Sequence, residues 1–200
     1  MHPALKPIQV FAIMFCAFGY AVATADERLD QGNEPIDAIW MVRSVTFNYH
    51  SPTTYFYCDT LQRRVAEILK TVGANDLMDV RVNCSVGALI NHTQIRIVAG
   101  VPLEATPENV LAETTHDTRT QMIAKAHEWK LATPTSVHRF RAEWREISFS
   151  NAPNSDCDLL MAMSQQVFPR LGIQPKRALQ CVDSSPDGVL KVDALVAVSS

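Results

Sequence analysis

Four cysteines constrain this chain more than any other feature. Cys58 and Cys84 stand 26 residues apart, Cys157 and Cys181 stand 24 apart, and the two pairs have matching surroundings. Arg43, Phe47 and Pro52 align, with one gap, on Arg145, Phe149 and Pro153, and Val45 falls on Ile147. Cys58-Asp59 and Leu61 align on Cys157-Asp158 and Leu160, and Gly73 and Gly172 each follow their first cysteine by 15 residues. Ordered coincidences of this kind are the signature of an internal duplication.

Each copy reads as β-α-β-β. Val45, Phe47 and Tyr49 alternate with polar residues, the period of a half-buried strand. Upstream, Ala38, Trp40 and Val42 alternate in the opposite phase, as Phe140, Ala142 and Trp144 do before Ile147 and Phe149. That flip, at the same place in both copies, predicts a bulge or a strand entry. A helix follows, with Leu61, Val65, Ile68, Leu69 and Val72 in one apolar stripe. Asp59 suits its N-cap, Gln62 the capping-box position and Gly73 the left-handed residue past its end. In the second copy Asp158 caps a helix carrying Leu160, Val167, Phe168 and Leu171, where Ser164 interrupts the stripe and Pro169 predicts a kink. Returning strands follow through Val80, Val82 and Cys84 and through Leu179 and Cys181, and apolar runs at 95–98 and 189–198 close the copies.

These lengths decide the cysteine pairing. A helix over 58–72 rises about 21 Å, and a strand over 78–84 returns about 20 Å. Cys84 therefore comes back beside Cys58, and the same count returns Cys181 to Cys157. The predicted bridges are Cys58–Cys84 and Cys157–Cys181, and in the chain-entropy model loops of this size stabilise by about 3–4 kcal/mol each. One unit has a single helix for three strands and leaves apolar surface open, whereas two units can share a sheet. The expected fold is α+β: tandem β-α-β-β units, 38–104 and 137–200, forming one mixed sheet of about six strands. Its helices pack on one face, its parallel crossovers are right-handed, and its halves are related by a pseudo-two-fold. Residues 105–136 form a helical connector whose stripe is Met122, Ala126 and Trp129, and residues 26–37 are a flexible polar segment.

Residues 1–25 read as a secretory signal peptide, with Lys6 before an apolar run, small residues at Ala23 and Ala25, and acidic Asp26-Glu27 beyond. Bulky Phe15 argues against lipoprotein processing at Cys16. An even number of remaining cysteines fits an oxidising compartment, so the expected location is secreted or periplasmic. With 18 basic and 21 acidic side chains the net charge is −3, which gives no footprint for nucleic acid. No stable membrane anchor is expected once the signal is cleaved. Asn83 and Asn91 lie in glycosylation sequons, relevant in a eukaryotic secretory route.

Chemistry is sparse. There is no C-x-x-C, no G-x-S-x-G, no phosphate-binding glycine loop and no helical metal-ligand pair. His116-Asp117 and His127-Glu128 are about 16 Å apart along a helix, too far for one metal, and His92 and His138 have no partner at functional spacing. Asp59 and Asp158, repeated after the cysteines, read as helix caps. No cofactor, metal or catalytic residue is expected. One segment breaks the duplication: 49–57 carries Tyr49, His50, Tyr55, Phe56 and Tyr57, where the second copy is short and polar. Loops running from a strand into a helix are common ligand sites, and tyrosine supplies stiff contact area with a polar tip; the other reading is that these rings cover the Cys58–Cys84 bridge and the end of the sheet. The expected function is a non-catalytic exported protein that uses these residues to bind an envelope protein or a small ligand. The alternatives are a hydrolase-like enzyme using His50 and a secreted enzyme inhibitor.

Overall fold

The computed structural model describes residues 34–75, 78–85, 87–177, 179–182 and 185–198, with the backbone alone at 182 and 185–187. The expected signal peptide, and residues 26–33 of the expected flexible segment, lie outside the described residues. In the first half, β1 (Ile36–His50) leads through β2 (Phe56–Tyr57) into α1 (Cys58–Thr71), followed by β3 (Asp79–Val82), β4 (Leu89–Ile90) and β5 (His92–Glu104). Helices α2 (Pro107–Thr114) and α3 (Thr118–Ala126) connect to the second half. There β6 (Arg139–Ser148) leads into α4 (Cys157–Gln166), β7 (Gln174–Pro175), a ribbon of β8 (Gln180–Val182) and β9 (Ser185–Asp187), and β10 (Lys191–Ala197). The first strand thus begins at Ile36, inside the segment expected to be flexible.

Six strands form the main sheet in the order β3-β5-β1-β6-β10-β7, and every neighbouring pair is antiparallel. This corrects the expected mixed sheet. Strands β1 and β3 do run the same way, but β5 lies between them, and β10 likewise separates β6 from β7. A chain that leaves the helix can return one strand further out, so the last strand fills the gap antiparallel to both. The expected bulge is also absent: the β1–β5 register runs unbroken from Ala38↔Glu104 to His50↔His92. The phase flip has another cause. Ile39, Met41, Val45, Phe47 and Tyr49 are buried on the helix-covered face, whereas Ala38 joins Ala142 and Leu195, with Phe140 and Trp144, in a small cluster on the other face. Trp40 stacks on Phe140 at 4.9 Å between ring centres, so the start of the strand is apolar on both sides.

The core lies between the sheet and helices α1 and α4: Val45, Phe47, Ile95 and Ile97 from the first half, Val192 and Ala194 from the second, and Leu61, Leu69, Leu159, Met163 and Phe168 from the helical side. Helix α4 packs on β1, a strand of the other half. Strand β1 pairs with β6 over Ile36–Ile39, and side chains of the second half bond its open edge at Thr46 and Asn48. The Gln166 amide accepts from the N–H of Asn48 and donates to its carbonyl (3.3 and 3.1 Å), and Arg170 donates to the Thr46 carbonyl. Edge groups that the sheet leaves open are thereby satisfied by the second half.

Both helical segments end on a left-handed glycine. Gly73 (φ 87°) and Gly172 (φ 80°) donate to Lys70 and Pro169, and the residues after them, Ala74 and Ile173, donate to Leu69 and Phe168. This is the Schellman pattern. Each glycine presses against the opposite half: a Cβ at Gly172 would stand 2.6 Å from Leu103, and one at Gly73 3.0 Å from the Leu195 carbonyl. Where Pro169 removes a donor, α4 stops at Gln166 and a 3-10 turn, Phe168–Leu171, continues it.

Four further expectations are corrected. Helix α1 has Tyr57 at its N-cap with no side-chain cap bond, so Asp59 lies within the first turn and Gln62 has no capping-box role. Helix α4 likewise starts at Cys157, which puts Asp158 inside the helix. The second returning strand is only β7 within the sheet, and Cys181 sits in the separate β8–β9 ribbon. In α3 it is Ala124 that is buried, while Met122, Ala126 and Trp129 face solvent.

Candidate functional site

Strand β1 ends in a polar turn. Ser51 is buried, its N–H donates to the Asn91 carbonyl, and its hydroxyl accepts from the N–H of Thr54 at 2.8 Å. The chain then pairs with the segment before β5, Phe56 opposite Ile90 and Tyr57 opposite Leu89. This two-stranded ribbon runs straight into α1. The Cys58 N–H donates to the Ala88 carbonyl, and the Cys58–Cys84 disulfide, with Cα atoms 6.1 Å apart, closes it. The equivalent bridge in the second half joins Cys157 and Cys181.

Alternation along the ribbon sorts the aromatic residues into two sets. Tyr49 (1% exposed) and Phe56 (7%) belong to the core, with ring centres 6.1 Å apart in an edge-on contact. Tyr55 (55%), Tyr57 (57%) and Leu89 (56%) face solvent, and Tyr57 and Leu89 are cross-strand neighbours. The five candidates of segment 49–57 are therefore not one surface: three, His50, Tyr55 and Tyr57, are open to a partner. Leu89 escaped the sequence reasoning, and its only signal there was an apolar pair, Leu89-Ile90, shortly after Cys84.

Beneath the ribbon lies a buried polar group that also escaped it. The Ser51 hydroxyl donates to the Asp158 carboxylate at 2.5 Å, and buried Asp156 pairs with Arg64 from α1, a bond that holds the guanidinium above its usual pKa. The buried Tyr49 hydroxyl makes no well-formed hydrogen bond, and burial, with Asp158 and Asp156 nearby, pushes its pKa up to about 12. Asp158 is thus a buried acceptor that ties the halves together, while Asp59 is exposed beside Gln62 and Met78 on an open groove. These two aspartates stand in unlike surroundings and offer no paired carboxylates for acid–base work.

His50 is exposed, and among the described residues no acid or nucleophile hydrogen-bonds to it, which leaves the hydrolase reading without a second group. His116 contacts the Ala132 carbonyl, His127 stacks on Trp129 and His138 stacks on Phe140. Among the described residues no three His, Cys, Asp or Glu side chains converge as metal donors, and no helix is long and apolar enough to cross a membrane. The two disulfides are compatible with an extracellular protein. The chain matches no protein-family model, no curated protein and no solved structure.

Proposed function

We propose that this chain is an exported, non-catalytic binding protein, built from two copies of a β-α-β-β unit, that docks an extracytoplasmic protein on the ribbon of the first half. The observation that carries the docking is the ledge of Tyr55, Tyr57 and Leu89, more than half exposed on a ribbon clamped by Cys58–Cys84. Small-molecule sites are concave, whereas these rings project, so a protein surface suits them better than a small ligand. Rigid tyrosines lose little entropy on contact. The duplication is supported by the palindromic strand order, by one bridge within each half and by a Schellman glycine at the same distance from each first cysteine.

The test is cross-linking capture from an envelope extract with the wild type and with Tyr55→Ala/Tyr57→Ala. Loss of a specific captured protein with an unchanged melting temperature supports the reading. Capture by the double variant at wild-type yield overturns it. A captured hydrolase whose activity falls on binding would favour the inhibitor reading.

A further inference from the structure

We propose that His50 and His92, far apart in sequence, form a binding site for a divalent transition-metal cation, tightest for Cu(II) and weaker for Ni(II) and Zn(II). The register sets them directly opposite each other on β1 and β5. Which kind of rung they occupy follows from the hydrogen bonds around it. The N–H and carbonyl of Asn48 both turn away from β5 to the Gln166 amide, whereas the Ser51 N–H reaches across to Asn91. His50, between them, therefore shares the orientation of Asn48, and His50↔His92 is a non-hydrogen-bonded pair. Such pairs bring Cα atoms to about 4.5 Å and Cβ atoms to about 4.5–5.5 Å on one face. Both imidazoles are exposed and border the same open groove, of about 470 Å³.

The surroundings prepare one ring for coordination. The Asn91 side chain donates from Nδ2 to the carbonyl of buried Ser51 at 3.1 Å, which leaves its Oδ1 as an acceptor. The Nδ1 of His92 lies 3.2 Å from that oxygen, so the ring carries its proton on Nδ1 and keeps the Nε2 lone pair for a metal. A second partner that fixes the tautomer is the usual companion of a ligating histidine. The next rung on this face, Asn48↔Gln94, is uncharged, and a fixed cation enters only at Arg96, two rungs away. Two imidazoles supply part of the coordination and water completes it.

Isothermal titration of the disulfide-intact full chain with CuCl₂ and with NiCl₂ tests this. One ion per chain is expected. His50→Ala and His92→Ala should each weaken binding by about tenfold or more, because each removes one arm of a chelate. The Cu(II) spin-resonance spectrum should report two nitrogen ligands in the wild type, and His138→Ala should leave both readouts unchanged. Unchanged affinity in either single variant, or an equal loss in His138→Ala, overturns the site. Both histidines are exposed, and circular dichroism checks that the variants remain folded. Metal binding and partner capture are separate readouts, so either proposal can fail alone.

Discussion

The two disulfide-clipped ends differ in which way they turn the residues flanking the leading cysteine. In the first half the residue before the leading cysteine is Tyr57, exposed on a two-stranded ribbon. In the second it is Asp156, buried and paired with Arg64 of the first half. The residue after that cysteine differs as well: Asp59 is open to solvent, while Asp158 is buried and accepts from Ser51. One end therefore presents side chains outward, and the other turns them inward to hold the halves together. Positions that stand alike in sequence need not share a role, because burial is decided by what packs against them.

Core substitutions break the comparison hardest. Leu69 and Phe168 each lie 11 residues after their cysteine and are fully buried. Phe168→Ala should cost about 3–5 kcal/mol and Leu69→Ala about 2–5 kcal/mol, read by denaturant unfolding, and an effect confined to one half would show that the halves unfold separately. Removing either bridge as a Cys→Ala pair should cost about 3 kcal/mol. Only Cys58→Ala/Cys84→Ala should also abolish partner capture, since that bridge clamps the ledge.

Alkali provides a sharper probe of the buried polar group where the two ends meet. An unfolded tyrosine ionises near pH 10, whereas buried Tyr49 holds its proton to about 12. Protons leave the unfolded state first, so this contribution to stability is complete below pH 10 and is lost as pH rises to 12. Tyr49→Phe should flatten that decline in thermal melts between pH 9 and 12, and an unaltered slope would show that Tyr49 does not titrate with folding. The smallest effect belongs to the ledge: Tyr57→Ala should change stability by less than about 0.5 kcal/mol, and a larger loss would mean the ring is structural.

Much of the scaffold was legible from sequence. Matched cysteine and glycine spacings are local facts, and the rise of a helix against that of a strand brings Cys84 back beside Cys58. The stripe Leu61, Val65, Ile68 and Leu69 is buried in α1 as its period implies. The candidate site was legible only in outline. Its mismatch with 150–156 marked 49–57 as unusual and the strand period put Tyr49 with Val45 and Phe47, but neither shows that Phe56 turns inward, because that depends on the ribbon Phe56 forms with Ile90. From sequence Asp158 reads as a cap because its neighbours resemble a helix start, whereas its hydroxyl partner, Ser51, lies in the other half.

Local rules acting along short stretches of chain thus indicated from residues alone the buried stripe of α1, the left-handed glycines at 73 and 172 and which cysteines meet. Tertiary packing decided the rest: that β5 inserts between parallel β1 and β3, that Gln166 covers the open edge of β1, and that His50 faces His92. Each of these joins groups distant in sequence, where partners are selected by which edges and faces remain unsatisfied once the local pieces have formed.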